Sequence, residues 1–254
     1  MRFSILIALF IFSSCAYVNI LKSKSEEDKK LSGDLKYEFN DTMGSFIKLR
    51  KKGLDSSKNI VVKSVIYSPR KEDSPVEKLI SISNKDIVES DLKLLKPLKS
   101  EVIYWFDGKR YKSSISIDEK NKELKVISRA KEKQWNKAKK FSIDFNGKAF
   151  CFFSQIAECA AQAGFLEKSR LKKSGAMNLT VIWDGFPFFN EQYLNNKDEV
   201  FSRGKFSYVG KETSGLHKYA LNIDGQVIHY SIYRDKYLAK MFWVSQGISQ
   251  TLME

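Results

Sequence analysis

His217 and His229 are the two imidazoles of a 254-residue chain, and they fall on neighbouring stretches of alternating hydrophobicity. Neither has a Cys, Asp or Glu at a metal-ligand spacing, so no metal site is expected. As a general base either would need a serine on a nucleophile elbow, and the sequence holds no Gly-x-Ser-x-Gly. Asp184 and Asp224 would suit glycosidic cleavage if they faced one cleft. Each precedes a glycine, however, where a short carboxylate has a turn to stabilise. The glycine-rich loops that cradle phosphates are absent too. These residue types point to binding rather than catalysis, and to no cofactor.

Cysteines and clustered aromatics are the other groups with chemistry to offer. Cys151 and Cys159 are an even pair in a short stretch. A disulfide between them is expected if Cys151 lies outside the helix that carries Cys159, because a spacing of eight within one helix is too long to bridge. Two free cysteines near the core are the alternative. Trp183, Phe186, Phe188 and Phe189 surround a turn containing Pro187. Such a cluster lines the mouth of a ligand hollow, touches a partner, or folds back onto the sheet. Trp135 among Lys137, Lys139 and Lys140 forms a second candidate surface, suited to an anionic membrane interface or simply solvated as a basic loop.

The third cysteine, Cys15, stands at the end of a three-part segment: Arg2, an apolar run from Ile5 to Phe12, then Ser13 and Ser14. This is the order of a secretory signal, and the run is too short to cross a bilayer of about 30 Å as a helix. Phe12-Ser13-Ser14-Cys15 resembles the lipobox of bacterial lipoproteins, with Phe12 where an aliphatic residue is usual. The resemblance implies cleavage before Cys15, a diacylglycerol on its sulfur, and durable attachment to a membrane. Ala16, rather than Asp, after the cysteine implies the outer membrane facing the periplasm. An oxidising compartment is consistent with a bonded Cys151 and Cys159.

Residues 15–35, rich in Ser, Lys and Glu, read as a flexible tether, and residues 36–254 as a single domain. In that domain Asp107-Gly108, Asn146-Gly147, Asp184-Gly185 and Asp224-Gly225 mark two-residue hairpins between period-two runs. Those runs include Phe141 to Phe145, Tyr219 to Ile223 and Ile228 to Ile232. With further strands expected near Ser45–Arg50, Ile60–Tyr67, Leu79–Ser83, Val102–Phe106, Leu124–Ser128, Leu179–Trp183, Lys205–Val209 and Tyr237–Val244, the fold class is mainly β. It is a curved antiparallel sheet or unclosed β-barrel with one or two short helices. One helix is expected from Ser154 to Ala163, capped by Ser154 and ended by Gly164, as a lid or plug. Ala130 to Lys140 reads as a second helix or as a long hairpin connection.

Hydrophobic residues at 43 % supply a sizeable core, and the net charge of +14 favours polyanionic partners. Export argues against nucleic acid among them. Sheet, helix and export together resemble, at the level of architecture, the unclosed β-barrels of periplasmic lipoprotein carriers, so no residue is assigned a role from that family. The expectation is a lipid-anchored envelope protein that binds an apolar or amphipathic ligand such as a lipid or acyl chain. The alternative is an adaptor with a filled core that contacts envelope proteins.

Overall fold

The computed structural model describes residues 31–69, 74–89, 92–145, 149–194, 198–233 and 237–253. The first eight strands are β1 (Leu31–Asp41), β2 (Gly44–Leu54), β3 (Ile60–Tyr67), β4 (Pro75–Glu89), β5 (Leu92–Phe106), β6 (Lys109–Asp118), β7 (Glu123–Arg129) and β8 (Lys137–Ser142). A three-residue strand, β9 (Phe150–Phe152), then leads through helices α1 (Ile156–Gln162) and α2 (Phe165–Lys172) into β10 (Ala176–Ile182). Helix α3 (Phe188–Tyr193) precedes β11 (Phe201–Lys211), β12 (His217–Ile223), β13 (Gln226–Ile232), β14 (Leu238–Trp243) and β15 (Ile248–Leu252).

All fifteen strands belong to one sheet, ordered β8-β7-β6-β5-β4-β3-β2-β1-β15-β14-β13-β12-β11-β10-β9. Each strand therefore lies beside its chain neighbours except at one point, between β8 and β9. Strands β1 and β15 meet in the middle of the sheet, whereas β8 and β9, consecutive in the chain, form its opposite edges. Every pairing is antiparallel but β9 with β10. The sheet is thus an unclosed barrel. Its edges approach through rings and not through a ladder: Phe141 packs edge-on to Phe186 at 5.8 Å and to Phe201 at 6.1 Å, and Phe145 to Phe150 at 4.8 Å. Lysines along β8 blunt the free edge against further strand pairing.

Period-two runs became strands because alternation buries one face, except that the run Phe141 to Phe145 leaves the sheet at Ser142, where β8 ends. Asp107-Gly108 and Asp224-Gly225 adopt positive φ at both residues, 49° and 69°, then 48° and 74°, as two-residue hairpins require. Asn146-Gly147 and Cys15 lie outside the described residues. Strand β1 begins at Leu31, inside the segment read as tether. Asp184-Gly185 differs from expectation: it opens into α3 and makes no hairpin, because its carboxylate is held inside the barrel. The segment from Ala130 to Lys140 resolves as a connection, a 3-10 turn at Lys133–Trp135 running into β8.

Two segments flanking β10, residues 153–163 and 183–194, form an internal plug. Small hydroxyl side chains on the inner face of β4 to β6 make room for it and hold it. Ser81 pairs with the Ser154 hydroxyl at 2.8 Å, Ser83 donates to Gln155 at 2.5 Å, Ser100 to Asp184 at 2.5 Å, and Ser113 to the Phe186 carbonyl at 2.5 Å. All four serines are buried, so these bonds satisfy groups that would otherwise be left dry and unpaired. The expected helix starts two residues late, at Ile156, because Ser154 is occupied with Ser81 and Asp184 and caps nothing. Gly164, at φ 67°, turns α1 into α2.

Cys151 on β9 and Cys159 on α1 form a disulfide, with Cα atoms 6.2 Å apart. Because Cys151 precedes the helix, the bond fastens β9 to the first helix of the plug. Beneath them α2 covers the far end of the barrel, where Phe165 packs on Phe206 and Tyr219, and the Tyr219 hydroxyl donates to the Leu166 carbonyl at 3.2 Å.

Candidate functional site: an amphipathic cavity in the barrel

Between the plug and strands β1 to β5 and β13 to β15 the core is incomplete, and a cavity of about 100 Å³ remains. Phe39, Ile66, Leu79, Phe153, Phe189 and Met241 supply its apolar walls, and Lys48, Arg50, Glu77, Glu158 and Asp184 bring charge into the same space. A wider vestibule of about 270 Å³ adjoins it at the rim formed by the β1–β2 turn, the β5–β6 hairpin and α3. Glu77, Phe39, Ile66, Tyr104 and Tyr193 line both, so the vestibule is the cavity's approach.

Strand β2 explains the charge. Lys48 and Arg50 are two residues apart and therefore share a face, which points inward. Arg50 is buried and held by Glu158 of α1, Nη2 to Oε1, at 2.8 Å. Burial alone would raise the Glu158 carboxyl, but Arg50 and Lys52 beside it outweigh that and hold it below the usual range. The pair joins the sheet to the plug. Asp184 is buried and accepts from Ser100 and from the Ser154 backbone N–H at 2.8 Å, while burial raises its pKa.

Lys48 and Glu77 are arranged differently. Lys48 lies opposite Ile66 on β3, and Ile66 lies opposite Glu77 on β4, so the two charges flank one apolar residue. Burial lowers the Lys48 ammonium, with Glu77 opposing, and its nitrogen sits 5.6 Å from the Phe39 ring centre. Burial pushes the Glu77 carboxyl up to about 6, helped by Asp184 and Asp41 and opposed by Lys48. A carboxyl with a raised folded pKa favours the neutral form, so Glu77 disfavours folding above pH 6, and that effect fades as pH falls from 6 towards its ordinary 4.5. Glu77→Gln is therefore expected to stabilise the protein by on the order of 1 kcal/mol at pH 8 and negligibly at pH 4. Urea denaturation at the two pH values checks this; equal effects would contradict it.

Tyrosines complete the lining. The Tyr193 hydroxyl donates to Asp41 at 3.0 Å, which pins α3 to the β1–β2 rim. Tyr104 reaches under the turn at Gly185, where φ is 81° and a Cβ would overlap the phenol. Only glycine fits there. Tyr230 on β13 is 3 % exposed, and its hydroxyl has no partner among the described residues.

The residues singled out from sequence are distributed as follows. Phe189 lines the cavity. Trp183 and Phe186 are fully buried in the main core, and Phe188 packs among Tyr104, Tyr111 and Trp135. The connection has folded back into the barrel. Trp135 is half-buried with its ring 5.4 Å from Phe188, Lys139 pairs with Asp198 at 3.2 Å, Lys140 with Glu123 at 3.0 Å, and Lys137 is exposed. His217 contacts the Tyr208 hydroxyl at 3.2 Å. Among the described residues no group of three His, Cys, Asp or Glu could hold a metal, and no helix is long and apolar enough to cross a membrane.

Sequence reasoning missed Lys48, Arg50, Glu77, Tyr104 and Tyr230. The available signal was the alternation Phe46, Lys48, Arg50, which reads equally well as a wet face.

No protein-family model matches the sequence, and no curated protein does. Among solved structures, the chain is similar to a crystal structure titled as a beta-barrel-like protein of a domain of unknown function, DUF1849, from Brucella abortus. That similarity has 11 % identity and a TM-score of 0.47, over 87 % of this chain and 95 % of that one.

Proposed function

We propose that this chain is a lipid-anchored protein of the bacterial cell envelope whose β-barrel-like domain binds a small amphipathic ligand, without catalysing a reaction on it. The observation that carries the reading is a cavity that is apolar on most walls yet lined by Lys48, Glu77 and an unpartnered Tyr230 hydroxyl. A buried hydroxyl with no protein partner offers a hydrogen bond to a ligand oxygen in the cavity. The volume limits the cargo. At about 100 Å³ the cavity is smaller than the roughly 300–1,000 Å³ of drug-sized pockets. It takes a short apolar body or the end of a chain, and a longer acyl chain would have to leave through the vestibule.

Native mass spectrometry of protein purified without detergent tests the ligand: a co-purifying small molecule supports the reading. The bare mass, with no uptake of added amphiphile, favours an envelope adaptor instead. That second reading draws on the aromatic filling of the barrel below the cavity by Phe206, Tyr219 and Trp183. Trp135 with Lys137 and Lys139 would then be its contact surface. The anchor rests on Cys15 and the apolar segment before it. Cys15→Ser should move the protein from the membrane fraction to the soluble one, and unchanged fractionation would reject lipidation.

A further inference from the structure

We infer that the ligand of the cavity is a compact zwitterion, an apolar body bearing an amine for Glu77 and an acid group for Lys48. The inference deepens the ligand-binding reading and rests on it. Lys48 and Glu77 occupy one cross-strand row, each directly opposite Ile66. Adjacent strands run about 4.8 Å apart, so their backbones are separated by about 10 Å with an isoleucine between. Both side chains reach into the cavity. Among the described residues no hydrogen bond or ion pair holds Lys48 or Glu77. The neighbouring charges are engaged: Arg50 with Glu158, and Asp184 with Ser100 and Ser154.

The cavity thus presents one cation and one carboxyl, side by side over an apolar floor, attracted to each other across Ile66 but neither in a direct ion pair nor hydrogen-bonded. An anion alone would meet Lys48 but sit beside Glu77 and Asp184; an amine alone would meet Glu77 and leave Lys48 unpaired. Burying an ion is strongly unfavourable unless it is paired, and a zwitterion pairs both groups while adding no net charge. The Tyr230 hydroxyl, 3 % exposed and without a partner, adds a donor for a ligand oxygen.

Isothermal titration calorimetry of the full chain with four probes of one hydrocarbon length tests this: 2-aminooctanoate, octanoate, octylamine and 1-octanol. The expected result is that 2-aminooctanoate binds at least tenfold more tightly than the other three. Lys48→Met should reduce it to the level of octylamine, and Glu77→Gln to that of octanoate. Octanoate or octylamine binding as tightly as the zwitterion overturns the inference and leaves the ligand-binding reading standing, as does binding of octanol alone. Binding of none of the four overturns both. The comparison of probes on the unsubstituted chain decides the matter even if a variant folds poorly.

Discussion

Arg50→Met lowers the free energy of unfolding by about 3 kcal/mol, because it leaves Glu158 as a buried carboxylate that has lost its principal partner. Arg50 Nη2 meets Glu158 Oε1 at 2.8 Å and the Ser154 carbonyl at 3.3 Å, and both charged side chains are under a tenth exposed. Lys52, 3.9 Å from the same carboxylate oxygen, compensates in part and keeps the loss near the lower end of the range for broken buried pairs. The double variant Arg50→Met/Glu158→Leu should recover most of the loss, since two apolar side chains of similar volume need no compensation. Urea denaturation of the two single variants and the double gives the coupling directly. Additive effects would mean that the pair does not join β2 to the plug as described.

Trp183→Ala is the second large effect, at about 3–5 kcal/mol. Trp183 is 1 % exposed and stacks on Trp243 at 5.9 Å and Phe189 at 5.6 Å, with Phe153 at 4.9 Å. Its indole nitrogen donates to Ser202 at 2.9 Å, and Ser202 in turn donates to Asp224. The residue therefore ties β10 to β11 and to the β12–β13 turn, and its loss opens a void at the junction of three elements. Trp183→Phe keeps most of the packing and removes one hydrogen bond, so it should lose only about 1–2 kcal/mol. Chemical denaturation separates the two variants. A loss below 1 kcal/mol for the alanine variant would show that the aromatic stack is not a stabilising centre.

The same two regions show where the sequence is informative and where it is not. Strand β3 was readable end to end, from Ile60 to Tyr67, and Asp107-Gly108 and Asp224-Gly225 announced their hairpins, because period and positive φ are local properties. The Cys151–Cys159 bond was readable in the same way, from a helix whose start could be placed after Cys151. The apolar positions of β12 and β13, from Tyr219 to Ile223 and from Ile228 to Ile232, are buried as their alternation implies, whereas the inward faces of β2 and β4 were not legible. In Leu79-Ile80-Ser81-Ile82-Ser83 the serines lie inside, because the plug crosses there and needs hydroxyl partners at Ser154 and Gln155. On β2 the inner face carries Lys48 and Arg50, although a cation at alternate positions ordinarily marks water.

Both gaps have one source. The path of residues 153–163 and 183–194 inside the barrel is a tertiary fact, and it alone decides which strand positions meet polar atoms and which meet space. The three residues of β9 are too few for a period to be seen, and α2 buries only Phe165, Leu166 and Ser169. Asp184 was legible as a turn residue and not as an internal acceptor for the same reason. The cavity lies where the plug, the cationic face of β2 and the rim helix α3 meet, and no stretch of sequence contains all three.

Ala157 stands on α1, 7 % exposed, at the cavity wall, so a phenyl ring at that position projects into the space a ligand would occupy. Uptake of a short amphiphile, 2-aminooctanoate, by the native chain and by Ala157→Phe is the most direct test of a ligand-binding barrel. The account predicts saturable uptake by the native protein and a loss of at least tenfold in affinity for a variant that still unfolds cooperatively. Equal uptake by both, or none by the native chain, would contradict it.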